Sequence, residues 1–343
     1  MPHPLAEDLD HVLAHTAEVW RALRDQTIFI TGGTGFVGTW LTESLIWANE
    51  HLELGVRAVL LTRRPDRFQA KAPHVARHKS VELLRGEAQD FSFPAGDFPF
   101  VIHAATEEHF EATSEYPVST FDADISGTRH VLEFARTHGA RRFLFTSSGA
   151  VYGKQPPELP NISEEYAGAP FTADPATAYG QGKRVSEFLC TMYARQYGFV
   201  ALLGRLFAFV GPHLALDANY AVGNFIRDVL RGGPVRIAGD GTAQRSYLYA
   251  ADLAIWLWTI LIHGESARPY NVGSPQAISV AELAQCVVDA TVVGTPIEIL
   301  RRPGIPAGRY VPCTERAEKE LGLRTWIPLA EGVRRTCLWC RQG

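Results

Sequence analysis

The 343-residue chain predicts a doubly wound α/β fold, in which helices cover a parallel sheet and a smaller C-terminal lobe follows. Three observations carry this reading. Short apolar segments alternate with helical patterns through roughly the first 210 residues. Several of those segments are continuous apolar runs, as parallel strands buried on both faces require. Beyond that point glycine and proline cluster (GPH, RGGP, AGDG, PGIPAG) and shorter elements replace the βα rhythm. The expected division is an N-terminal helix within 1–25, a sheet domain over 26–210 and a lobe formed mainly by 211–343, with some segments of the last part returning to the sheet.

Residues 5–24 carry Leu9, Val12, Leu13, Val19 and Leu23 at three- and four-residue spacings, which predicts an amphipathic packing helix. The predicted strands are TIFIT (27–31), RAVLLT (57–62), VELLR (81–85), FVIHAA (100–105), RFLFTS (142–147) and VALLGRLF (200–207). Helical patterns occupy 36–50, 118–138 and 177–197 between them. The longest apolar run, LAIWLWTILI (253–262), is too short to span a bilayer and predicts a buried helix.

Bulk properties exclude several function classes. A net charge of −4 with mixed signs and no long basic run argues against nucleic acid or an anionic membrane as partner. The five cysteines are scattered, as in a reducing compartment. Cys337 and Cys340 form a C-x-x-C, but no second pair or histidine at ligand spacing accompanies it, so no metal site is expected. The opening MPHPLAEDLDHV has no apolar core of signal-peptide length, and a cytoplasmic protein is expected.

The first strand runs into TGGTGFVGTWL. Gly32, Gly35 and Gly38 recur every third residue between a strand and a helix, with Phe36 and Val37 opening the helix. Glycines there permit a tight turn and close approach of backbone to a diphosphate, and the helix N-terminus offers free N–H groups. This predicts a Rossmann-like dinucleotide site. The second strand ends in LLTRRPDRF, with Arg63 and Arg64 and no acid. An arginine there suits the 2′-phosphate of NADP, so the cofactor expected is NADP or NAD, leaning to NADP. Glu87, after the third strand, is a candidate acceptor for the adenine amino group.

TAYGQGKRVSE (177–187) places Tyr179 and Lys183 four apart on one helix face. A phenol ionises near ~10, too high for a base at neutral pH. A neighbouring ammonium favours the phenolate. With a serine hydroxyl to hold the substrate oxygen, such a set moves a proton on or off an alcohol while a nicotinamide moves the hydride. Serines end the strand one βα unit earlier, in FLFTSSGAVYG (143–153). The preceding strand ends in HAA, where small Ala104 and Ala105 leave room for a nicotinamide ring.

Together these motifs, with RLFAFVGP, GDGTAQRSYLYAADLA and YNVGS, resemble the extended short-chain dehydrogenase/reductase superfamily, specifically its NAD(P)-dependent nucleotide-sugar epimerase/dehydratase branch, over roughly residues 26–340. The resemblance implies Ser148 rather than Ser147 as the catalytic serine, Tyr179 as acid/base, and Lys183 as its partner and ribose ligand. It implies Arg245 as a contact for the diphosphate of a nucleotide-diphosphate sugar. It also implies a homodimer built through a four-helix bundle of the helices at about 118–138 and 177–197, where Phe188, Leu189 and Met192 could serve either that interface or the core.

Departures from the pattern narrow the chemistry. Dehydratases of this family carry an Asp-Glu pair directly after the catalytic residue, and related decarboxylases keep the Glu. Gly149 and Ala150 stand there and cannot transfer a proton. What remains is redox at a sugar carbinol, expected at C4: an epimerase if the hydride returns to the other face, or a 4-ketoreductase if NADPH exchanges. Further alternatives are a reductase of non-sugar carbonyl compounds and a dinucleotide sensor without catalysis. Two more positions differ. Asp124 replaces the Asn of an N-x-x-G-T helix, and Ala208 replaces an Asn after the sixth strand, for which Asn219 and Asn224 are the candidates to compensate.

Overall fold

In a computed structural model, the described residues are 3–106, 116–218, 220–291, 294–301 and 308–342. The core element is a seven-stranded sheet, ordered β11-β6-β5-β4-β1-β2-β3. Its strands are β1 (Thr27–Thr31), β2 (Arg57–Thr62), β3 (Val81–Arg85), β4 (Phe100–His103), β5 (Arg142–Ser148), β6 (Val200–Leu206) and β11 (Pro269–Val272). Strand β1 pairs in parallel with both β2 and β4, so the chain order reverses beside β1. The sheet is doubly wound and Rossmann-like. Helix α3 (Phe36–Leu52) follows β1, α6 (Pro117–Thr137) follows β4, and α7 (Ala178–Tyr197) follows β5.

The N-terminal segment forms two helices, α1 (Ala6–His15) and α2 (Ala17–Leu23), rather than one. The break falls at Thr16, whose hydroxyl donates to the Val12 carbonyl at 2.5 Å while its own N–H bonds Leu13. A threonine side chain competing for helix carbonyls explains the break. Short helices α4 (Pro65–Lys71) and α5 (Pro73–Ala76) lie between β2 and β3, each opened by a proline at its first turn.

The chain divides into two compact units. The first comprises 1–151, 170–205 and 254–270. Its core joins Phe29, Val101, Phe134, Phe143, Phe145 and Leu203, all buried, from β1, β4, α6, β5 and β6. The apolar run at 253–262 lies within the buried helix α9 (Ala250–His263). Among the described residues no helix is long and apolar enough to cross a membrane. On α7, Leu189 turns inward to the core, whereas Phe188 is 63% exposed and Met192 is also exposed.

The second unit comprises 152–169, 206–253 and 271–343. It contains helix α8 (Ala221–Leu230) and small pairings, with strand β9 (Gln244–Arg245) antiparallel to β12 (Ile278–Ser279) and parallel to β14 (Arg309–Tyr310). Helices α10 (Val280–Thr291) and α12 (Leu329–Gln342) also belong to it.

Candidate functional site

The glycine loop follows β1 directly. Gly32 has φ +67°, and a Cβ there would stand 2.5 Å from the Ala104 carbonyl. A Cβ on Gly38 would stand 2.3 Å from the Gly32 carbonyl. Only glycine lets the turn close and the helix begin this near the strand ends. Gly35 donates its N–H to the Gly32 carbonyl at 3.0 Å, and α3 begins at Phe36, so the free N–H groups of Phe36, Val37 and Gly38 gather at one point. This cradle fits a diphosphate.

Around it lie the other predicted cofactor residues. Ala104 and Ala105 are held at the end of β4, the first by the Thr31 carbonyl (3.2 Å) and the second by the Thr31 hydroxyl (3.2 Å). Arg63 and Arg64 are exposed directly after β2, and Thr62 Oγ1 accepts the Arg64 N–H. Glu87 is exposed on the turn after β3, where its carbonyl accepts from Asp90 and Phe91.

Helix α7 carries Tyr179, half-buried, and Lys183, buried. Lys183 Nζ lies 5.5 Å from the centre of the Tyr179 ring and 5.0 Å from that of Phe145. It pairs with Asp124 Oδ1 on α6 at 3.3 Å. Burial alone would lower the Lys183 pKa, but the charges of Asp124 and Tyr179 outweigh it and raise the value. The ammonium is therefore charged under ordinary conditions.

The two serines at the end of β5 divide their work. Ser147 is buried and donates to Glu187 Oε1 at 2.6 Å, and Glu187 holds Arg205 through two hydrogen bonds of 2.9 and 2.7 Å. Ser148 accepts the Ala150 N–H at 3.1 Å, at the start of a 3₁₀ turn over Gly149–Tyr152. The Ala150 carbonyl meets the backbone of α7 at Gly180, where a Cβ would come within 2.7 Å. The close approach sets the Ser148 turn against the first turn of the helix that carries Tyr179.

A hydrogen-bond chain with no sequence period also runs through the first unit. Ala105 N–H donates to Thr31 Oγ1, which is 2.7 Å from His103 Nδ1, and His103 Nε2 is 3.2 Å from Thr128 Oγ1. Thr128 donates to Ser186, and Ser186 to the Asp124 carbonyl. With each hydroxyl donating once, the His103 proton sits on Nε2. Burial first, and the Lys183 charge second, push the His103 pKa down to about 3. His103 is thus neutral and does not compete as a base.

Arg245 stands on β9 in the second unit, half-buried, with Nη1 donating to the Gln244 and Gly308 carbonyls. Asn224 accepts from Arg227 at 2.9 Å, while Asn219 lies outside the described residues. Ala208 accepts the Leu248 N–H through its backbone alone. Cys337 and Cys340 on α12 are free thiols, and burial pushes both upward, the first to about 12.

A family model described as the NAD dependent epimerase/dehydratase family matches residues 28–273. UDP-glucuronic acid decarboxylase 1 of Xenopus tropicalis is 30% identical over 315 residues, covering 92% of this chain and 72% of that protein. UDP-glucuronic acid decarboxylase 6 of Arabidopsis thaliana is 29% identical over 306 residues, covering 89% and 86%. Among solved structures, a UDP-glucose 4-epimerase of Thermotoga maritima with UDP-glucose aligns at TM-score 0.79 and 21% identity, covering 92% of this chain and 99% of that one. A UDP-galactose 4-epimerase aligns at TM-score 0.73 and 27% identity, with the same coverage. A Bordetella bronchiseptica enzyme in complex with NADH aligns at TM-score 0.76 and 21% identity, covering 94% and 93%.

Proposed function

Because the chain belongs to the NAD dependent epimerase/dehydratase family, we propose that it catalyses reversible hydride transfer at a carbinol of a nucleotide-diphosphate sugar, at C4, as an epimerase. The observation that carries this reading is Lys183, charged, beside Tyr179 on the helix set against the Ser148 turn. The glycine cradle, Ala104 and Ala105 would hold the dinucleotide, which supplies a hydride acceptor and donor when bound. Tyr179 takes the carbinol proton and returns it, Lys183 stabilises the phenolate and binds ribose, and Ser148 holds the substrate oxygen. Arg245 would bind the diphosphate.

The relatives named as decarboxylases raise a rival reaction, which Gly149 and Ala150 oppose. The first two positions of the turn after Ser148 present no side chain able to carry a proton. Epimerisation needs none there, since Tyr179 serves both half-reactions.

A 4-ketoreductase is the second reading. Arg63 and Arg64, exposed at the end of β2 with no acid between, favour the 2′-phosphate of NADP. The exposed Phe188 and Met192 on α7 support a homodimer through this face, and five free thiols suit a reducing compartment. One experiment separates the two reactions: denature freshly purified protein and identify the released nucleotide, then screen nucleotide sugars with and without added NADPH. Tightly held NAD with interconversion of C4 epimers supports the epimerase. Turnover only of a ketosugar with NADPH supports the reductase. A protein that binds neither dinucleotide overturns both.

A further inference from the structure

Glu43 lies within α3, with only 2% of its side chain exposed. A carboxylate so far removed from water is costly unless it is paired. Its partners are two imidazoles from separate parts of the first unit. His74 on α5 places Nε2 2.7 Å from Oε1, and His3, ahead of α1, places Nε2 3.5 Å from Oε2. The two imidazole rings meet edge to face with centroids 5.5 Å apart. One donor atom from each of the three residues lies within 4.8 Å of the other two.

Two imidazole nitrogens and a carboxylate oxygen form a donor set that zinc accepts, with a fourth position left to water. With bonds of about 2.0–2.2 Å, tetrahedral donors stand roughly 3.3–3.6 Å apart; the His3 contact to Oε2, at 3.5 Å, falls in that range, and the His74 contact to Oε1, at 2.7 Å, is shorter. His74 is 51% exposed and gives an ion a way in. On the other side the Trp47 ring flanks His3, and Trp47 Nε1 is anchored by Asp10 of α1 at 2.9 Å.

We propose that His3, Glu43 and His74 form a binding site for a zinc-class divalent ion, which fastens the segment before α1 to α3 and α5. Without the ion, protons hold the donors together. His3 Nδ1 accepts the Leu5 N–H at 3.2 Å, which puts the ring proton on Nε2, facing Glu43. Loading moves that proton to Nδ1 at the expense of the Leu5 contact, and releases the proton shared by His74 and Glu43 to solvent. The site is independent of the redox chemistry proposed above, and its test needs no turnover.

The test is thermal unfolding and calorimetric titration of EDTA-stripped, desalted protein with Zn²⁺. Wild type is expected to bind one equivalent and to unfold several degrees higher at saturating ion. The H3A/H74A double variant, altered only at side chains partly in water, should lose both effects. A C337S/C340S variant should keep them. The proposal is overturned if zinc does not stabilise wild type, if the histidine variant responds as wild type does, or if the cysteine variant loses the response.

Discussion

Lys183 Nζ lies 3.3 Å from Asp124 Oδ1, with 2% and 6% of the two side chains exposed. This is a buried ion pair inside the proposed proton-transfer machinery. The second carboxylate oxygen of Asp124 is buried without a hydrogen bond. Removing one member of such a pair leaves the other charge unpaired and dehydrated, at a cost of about 3–5 kcal/mol. D124A is therefore expected to lose stability on that scale in urea denaturation. D124N keeps an acceptor for the ammonium and should lose less. If D124A unfolds at the wild-type midpoint, the pair contributes nothing.

The serines should separate stability from chemistry. S147A removes the donor to Glu187 and should cost about 1 kcal/mol while turnover persists. S148A should keep the fold and lower kcat/KM by about 10²-fold. Equal kinetic effects from both substitutions would mean that Ser148 has been given the wrong role.

Tyrosine 179 is half-buried, so its hydroxyl can be deleted cheaply. Y179F should retain the wild-type melting temperature and bound dinucleotide while turnover falls by at least about 10²–10⁴-fold. Substantial residual activity would rule out Tyr179 as the acid/base.

A methyl group at Gly38 would meet the Gly32 carbonyl at 2.3 Å and a backbone that cannot yield without opening the turn. G38A is expected to weaken dinucleotide binding more than tenfold by fluorescence titration. Unchanged affinity would place the cofactor elsewhere.

In metal-free buffer the His3–Glu43–His74 cluster predicts a pH profile for stability. Burial alone would raise the Glu43 pKa, but hydrogen bonds from His3 and His74 overcome it and hold the value at about 2. The hydrogen bond to Glu43 raises His74, against desolvation. A lowered carboxylate contributes stability above its unfolded value of 4.5, and that contribution is lost as pH falls toward about 2. A raised imidazole contributes below 6.5, and its contribution is lost as pH rises through the folded value. The window of greatest stabilisation runs from about pH 4.5 to 6.5. Both limbs describe one interaction and are not summed, and solvent at His74 limits it to about 1 kcal/mol. Denaturation of wild type and H74A across this range should converge above the folded His74 value. Parallel curves from pH 4 to 9 would refute the assignment.

Most strands were legible because burial on both faces writes itself as apolar runs. TIFIT and RAVLLT occupy their predicted residues in this way, and VELLR does so as a partly exposed edge strand. The glycine loop was legible because a steric demand leaves only one residue type. The break at Thr16 was not, because an amphipathic pattern does not register competition between a hydroxyl and the helix carbonyls. Asp124 was visible as a departure, yet its pairing with Lys183 joins two helices and has no sequence period. The same holds for His3, Glu43 and His74, which no ligand spacing connects. Leu189 and Phe188 show a finer limit: adjacent apolar residues on one helix divide between core and solvent, and composition cannot assign them.

The chain from Ala105 through Thr31, His103, Thr128 and Ser186 to Asp124 begins on a main-chain N–H and ends on a main-chain carbonyl. Neither terminus can accept or release a proton, and every intermediate hydroxyl already donates forward. Conduction along it would require all members to reverse at once. It therefore acts as a strut, a fixed brace between the end of β4 and helix α6, that carries position and no charge. A buried histidine beside Lys183 is here a piece of carpentry.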